Sequence, residues 1–179
     1  MKGKSKKTKT PRGWCMAGSK PEHYESFVDE STAHSGTRSA CMKNAIAKPD
    51  GYATLMQMFS ADQYFGKRLR MTIWVKTAEA KWAAPWLRID GQSRGQSLSF
   101  DNFCERSIVG TTDWTKYESV VDVPPSSSNI AFGVMLGGTG KLWIDHVAFD
   151  TVSEDVPVTD CPCSRRSRSQ PVNLNFEDD

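Results

Sequence analysis

Long hydrophobic runs are missing from this 179-residue chain. No apolar stretch approaches the roughly 20 residues a membrane-spanning helix needs, and the basic start is not followed by the apolar core of a signal peptide. A membrane partner is therefore not expected, and the chain reads as cytoplasmic. Cysteine is sparse and odd in number, five in all, which argues against a closed disulfide framework. Cys161 and Cys163 flank a proline, a spacing without the two-residue gap and second ligand pair of a zinc motif. Histidine is scarcer still: His23, His34 and His146 are scattered, and no nucleophile elbow surrounds any of the serines. Nothing in the pattern assembles a catalytic triad, so the expectation is a protein that is not an enzyme. Carboxylate chemistry of the glycoside-active kind stays open, because Asp90, Asp101, Glu105 and Asp113 fall near the ends of expected strands.

Charge is unevenly placed. Six of the 23 basic residues lie in the first twelve positions without an acid among them, leaving 17 to face 21 acids in the rest. The body is thus mildly acidic, and no specific nucleic-acid surface is expected on it. Residues 1–12 lack an apolar anchor and read as a disordered basic tail. Residues 151–170 (TVSEDVPVTDCPCSRRSRSQ) have the proline, serine and arginine composition of a linker. The arginine run and the basic tail lack the interleaved aromatics of single-strand binders.

Between these segments the apolar residues alternate with period two, which specifies strands. Leu69, Met71, Ile73 and Val75 alternate with Arg70, Thr72, Trp74 and Lys76, and Leu87 and Ile89 alternate with Trp86, Arg88 and Asp90. Further strands are expected at 24–29, 38–44, 53–60, 96–102, 116–123, 130–136 and 141–149, with a short helical turn at 62–65. Turn-forming clusters such as Pro49-Asp50-Gly51 and Gly137-Gly138-Thr139-Gly140 punctuate them. Short strands at this spacing, with no helix to cover an open sheet, predict an all-β sandwich.

If Leu69 to Val75 and Leu87 to Ile89 face the core, Arg70, Trp74, Trp86, Arg88 and Asp90 share the opposite face. Gln57 and Met135 are placed beside them. Flat aromatic faces flanked by a few fixed polar groups suit sugar C–H surfaces and hydroxyls. The alternative is that Trp74 and Trp86 pack under a loop at 77–85, with Arg88 paired to Asp90 or Asp101. Phe103 sits in a loop, 100–107, where it serves either recognition or closure of the core.

Four segments in order carry a family resemblance: HSGTRSACM, YFGKRLRMTIWVKT, TTDWTKYESVVDVPPSSSNIAFGVML and GTGKLWIDHVAFD. Together they resemble a carbohydrate-binding-module-like, galactose-binding-like jelly roll, with Trp114 and Trp143 in packing positions. AGSKPEHYESFVDESTAHSG is similar to modules appended to bacterial transcription regulators, though no helix-turn-helix pattern accompanies it here. The C-terminal PVNLNFEDD resembles the opening strand of such a module, displaced to the end of the chain, so the sequence reads as circularly permuted. The implied organisation is a basic tail (1–12), a jelly-roll sandwich of two antiparallel sheets (13–150), a linker (151–170) and a displaced strand completing the sandwich (171–179). The implied function is non-catalytic binding of a carbohydrate or similar small polar ligand. Self-assembly by exchange of the last strand into a homo-oligomer is the alternative. Jelly rolls of this kind often hold a structural calcium, and the matching acids are Glu177 and Asp145. Calcium takes six to eight oxygens, of which two acids supply few, so the expected cofactor set is empty, with that calcium as the exception.

Overall fold

The computed structural model describes residues 10–160. Nine strands follow in chain order: β1 (Cys15–Gly18), β2 (Tyr24–Asp29), β3 (Ser39–Asn44), β4 (Tyr52–Ser60), β5 (Lys67–Gly91), β6 (Ser97–Asp101), β7 (Ile108–Val123), β8 (Ser127–Gly137) and β9 (Lys141–Val152). Two 3-10 turns, Pro21–His23 and Asp62–Tyr64, complete the regular structure, and no α-helix occurs among the described residues. No described helix is long and apolar enough to cross a membrane.

All strand pairs are antiparallel, and β5 belongs to two sheets. Its first half, Lys67 to Ala78, lies between β7 and β9 in a sheet ordered β2-β3-β9-β5-β7. Its second half, Trp82 to Gly91, lies between β8 and β6 in a sheet ordered β1-β4-β8-β5-β6. The change of sheet falls where the β5–β7 register shifts three times between Val75 and Ala83. Glu79 turns there with a positive φ of 49° and its amide donates to Thr111 Oγ1 at 3.0 Å. Residues 77–85, expected as a loop, are thus extended chain that bends without leaving the strand. Pro85 sits opposite Val134 of β8, at a point where neither β6 nor β7 pairs on the other side. A residue with no N–H leaves no ladder bond unmade there.

The core lies between the sheets, and the period-two pattern fills it. Leu69, Met71, Ile73 and Val75 from the first sheet, and Leu55, Leu87, Ile89, Ile130 and Leu136 from the second, are all fully buried. β2 matches expectation residue for residue and β3, β4, β6, β8 and β9 lie within three residues of it, whereas β7 begins at Ile108, eight residues before the expected 116, and β1, four residues long, is too short to show an alternation. The two flanking segments differ from expectation at their inner ends. Pro11 is buried, Trp14 N–H donates to the Pro11 carbonyl at 3.1 Å, and Ser26 Oγ donates to Thr10 Oγ1 at 3.0 Å, so residues 10–12 belong to the body rather than to a free tail. Past β9, Arg68 Nη1 reaches the carbonyls of Glu154 and Val156 at 2.6 and 2.7 Å. Thr159 then pairs with Val120, N–H to carbonyl at 2.8 Å, and Val120 N–H returns to Thr159 Oγ1 at 2.7 Å. The first half of the expected linker is therefore bonded to the first sheet. The displaced strand expected at 171–179 lies outside the described residues.

Candidate functional site

The bend in β5 divides the cleft expected from the sequence. Arg70 and Trp74 keep their outward direction, but on the outer face of the first sheet, whereas Trp86, Arg88 and Asp90 point out from the second. The alternation lapses at the bend, where 78–79 and 81–82 are successive residues outside the core, and resumes in the same sense on the second sheet. Arg70 is held in a two-pronged ion pair with Asp150, at 3.1 and 2.7 Å. Trp74 is covered by His34, whose ring stacks on it at 3.7 Å and 17°. Gln57 turns inward, beside Trp14, Phe59 and Phe132. Phe103 is 2% exposed, meets Tyr117 edge-on and lies under the Arg106 guanidinium at 3.8 Å, so it closes the core instead of presenting a ring to solvent. These four residues stand apart from the expected cleft, while Trp86, Arg88, Asp90 and Met135 remain together.

What stays on the second face is a shallow trough. Opposite Trp82, Ala84, Trp86, Arg88 and Asp90 of β5, strand β8 sets Gly137, Met135, Gly133, Ala131 and Asn129. Small residues here let large neighbours lie flat: a Cβ on Gly137 would overlap the Trp82 indole. Tyr52 of β4 stands beside that indole at 6.1 Å. With Ala84, Phe100, Asn102, Cys104, Ser107 and Met135 the two rings enclose a hollow of about 420 Å³. Trp86 is the floor rather than a wall. It is 5% exposed, its Nε1 donates to Thr54 Oγ1 at 2.8 Å, and Phe100 meets it edge-on. Further along, Arg88 lies over the Trp86 ring at 5.7 Å and grips Asp90 at 2.6 and 3.1 Å. This pair borders a polar hollow of about 430 Å³ with Ser93, Arg94, Ser128 and Asn129. From Trp82 to Asp90 the face runs eight residue steps, about 27 Å at the rise of an antiparallel strand.

Trp82, Tyr52 and Phe100 escaped the sequence reading. The loop expected at 77–85 takes in Trp82, although Trp82, Ala84, Trp86 and Arg88 alternate in phase with the strand that follows. Glycines two residues to either side of Met135 on β8, Gly133 and Gly137, are the second signal, marking where the facing strand leaves room.

Three of the acids near strand ends, Asp90, Asp101 and Asp113, have structural work. Asp101 is 1% exposed and accepts from Phe103 N–H at 3.1 Å, Arg106 Nη2 at 2.6 Å and Thr159 Oγ1 at 2.6 Å. Asp113 pairs with Lys76 at 2.7 Å, which holds its carboxyl below the usual range. Among the histidines, His23 Nδ1 accepts the Asp50 amide at 3.0 Å, and His146 occupies a bulge in β9 with φ of 48°. Asp145 Oδ2 accepts the amides of His34 and Ser35, both at 2.9 Å, and its Oδ1 that of His146 at 2.7 Å. Its partner in the expected calcium site, Glu177, lies outside the described residues, and among those described no three metal-ligating side chains cluster.

The fold is the β-sandwich of carbohydrate-binding modules. The CBM22-1 xylan-binding domain from Paenibacillus barcinonensis superposes with a TM-score of 0.55, covering 82% of this chain and 90% of that one at 13% identity. The enzymatically active domain of tailspike protein 4 from bacteriophage CBA120 reaches 0.59 over 79% of this chain and 20% of its own, at 14% identity. In sequence, the chain is 41% identical over 173 residues to an uncharacterized HTH-type transcriptional regulator, YbfP, of Bacillus subtilis (strain 168). That match takes in 96% of this chain, which spans 58% of the length of the relative. No family model matches the chain.

Proposed function

We propose that the chain is a non-catalytic binding module for a carbohydrate or similar polyol, and that it takes its ligand on the outer face of the second sheet. The observation that carries this reading is the trough itself: Trp82 and Tyr52 frame an apolar hollow over the glycines of β8, and the Arg88–Asp90 pair borders a polar one on the same face. A sugar offers just these two surfaces, a C–H face for an indole and a ring of hydroxyls for fixed donors and acceptors. The aromatic group on the first sheet suits the role less, because His34 already occupies the face of Trp74. The xylan-binding neighbour supports a saccharide ligand. The relative named as a regulator supports a place for the module as the ligand-responsive part of a longer polypeptide. Two α-helices are the minimum for a helix-turn-helix, and the described residues hold none.

Trp82→Ala should weaken saccharide binding by about 2 kcal/mol, roughly thirtyfold in Kd, because a ring exposed over the trough is an anchor rather than a prop. The melting temperature should hold. A glycan array followed by calorimetry on the best hit is the measurement. Unchanged affinity in Trp82→Ala, or no binding by an intact protein across the array, would sink the proposal.

A further inference from the structure

One side of the sandwich is open between two strands that have outrun their neighbours. β3 accompanies β9 only as far as Ile144, so from His146 to Val152 the edge of β9 away from β5 has no strand beside it among the described residues. Across the gap, β1 accompanies β4 only to Met56 and leaves the edge from Gln57 to Ser60 in the same condition. Between the two edges runs a groove of about 800 Å³ whose floor is the core itself. Trp14, Phe59, Tyr64, Val147 and Phe149 pack against that core yet stay only partly buried. Phe59, Phe132 and Phe149 meet edge-on at 4.9–6.0 Å along it. Unpaired backbone beside exposed aromatic rings is the form of a slot for one more strand.

We propose that residues 171–177 of this chain, PVNLNFE, fill this groove as a strand antiparallel to β9. The slot along β9 from His146 to Val152 is seven residues long, as is the segment. Val172, Leu174 and Phe176 alternate with Asn173 and Asn175, so one face meets the aromatic floor and the other meets water. Direction follows from where the chain is last held. Thr159 is bonded to Val120, which lies opposite Arg70, which in turn lies opposite Asp150, near the Val152 end of the slot. Crossing from outside β7 over β7, β5 and β9 takes four strand spacings, roughly 19 Å. The eleven residues 161–171 reach about 36–40 Å. Running from the Val152 end to the His146 end, the segment brings Glu177, Asp178 and Asp179 to a rim that carries Arg38 and His146, with Arg12 also lining the groove. Charge on that rim is mixed, since Arg38 also pairs with Glu30 at 3.1 Å and Asp145 lines the groove beside His146, so the direction rests on where the chain is last held.

The test uses the full chain. Amide hydrogen exchange between His146 and Val152 should be slower by roughly two orders of magnitude than in a chain ending at residue 170. Should the shorter chain fail to fold, Leu174→Ser/Phe176→Ser in the full chain should speed the same amides. A synthetic peptide QPVNLNFEDD added to either variant should restore protection, and one with its apolar and asparagine positions exchanged should not. Protection that is independent of concentration in a monomeric full chain supports the proposal. Fast exchange in the full chain, or protection that disappears on dilution together with a dimer, overturns it, the second outcome assigning the groove to another copy.

Discussion

Asp29 shows how much one exposed-looking carboxylate at a strand end can hold. It accepts from Ser31 Oγ at 2.5 Å, from Ser31 N–H at 2.8 Å and from Trp143 Nε1 at 2.8 Å, and these bonds, the serine hydroxyl first, lower its pKa. A carboxyl with a lower pKa folded than unfolded stabilises the fold fully above the unfolded value, near 3.9, and loses that contribution as pH falls through the folded one. Asp29→Asn should cost roughly 1–2 kcal/mol at pH 7. Urea melts at pH 7 and pH 3 should show the gap from the parent protein narrowing in acid; an equal gap at both would contradict the account. Cys41, opposite Trp143 on the neighbouring strand, is fully buried, and burial pushes its thiol up to about 12. Iodoacetamide at pH 8.5 should therefore label exposed Cys15 and Cys104 and leave Cys41, as peptide mapping would read. Ser119 carries a buried hydroxyl with no hydrogen-bond partner, so Ser119→Ala should leave the melting temperature unchanged or raise it.

At the scale of elements, β8 is the strand whose side chains matter most by being small. A Cβ on Gly133 would overlap the Leu55 carbonyl and stand 2.9 Å from Met56 Cβ, so Gly133→Ala must push β4 away and should cost about 1–3 kcal/mol in a thermal melt. Gly137→Ala displaces only the Trp82 ring, and should disturb the trough more than the fold. These distances also explain what the sequence could and could not tell. Alternation in Leu69 to Val75 and Leu87 to Ile89 was enough to predict strands, the core and a two-sheet sandwich, because burial on one face leaves a period of two. The same signal could not say that one strand serves both sheets, since the alternation has the same sense before and after the bend and its lapse at 78–82 looks like a loop. Arg70 and Trp74 were therefore joined to Trp86, Arg88 and Asp90 on a face that does not exist, while Gln57 and Phe103 went inward. Trp82 was hidden for the same reason: the bend around Glu79 resembles a loop in composition and remains strand in pairing.

For the molecule as a whole, the shared strand removes any independent sheet. β5 pairs with β6, β7, β8 and β9, and pulling it out dismantles both layers together. Unfolding should accordingly be a single transition, with Trp74 and Trp82 reporting coincident midpoints in denaturant although they stand on different sheets. Separate midpoints for one protein that keeps only Trp74 and another that keeps only Trp82, the other five tryptophans of each being phenylalanine, would show that the layers part company.

The same arrangement sets a schedule for synthesis. A ribosome delivers β5 by residue 91, yet its partners on both sides are encoded after it, the last of them ending at Val152. Through that interval the nascent chain carries a 25-residue strand, rich in core side chains, with every edge still waiting. Pairing over such separations is slow because loop entropy is lost before contacts form. Yield should therefore rise with chaperone supply while residues 91–152 are being made, as co-expression trials would read.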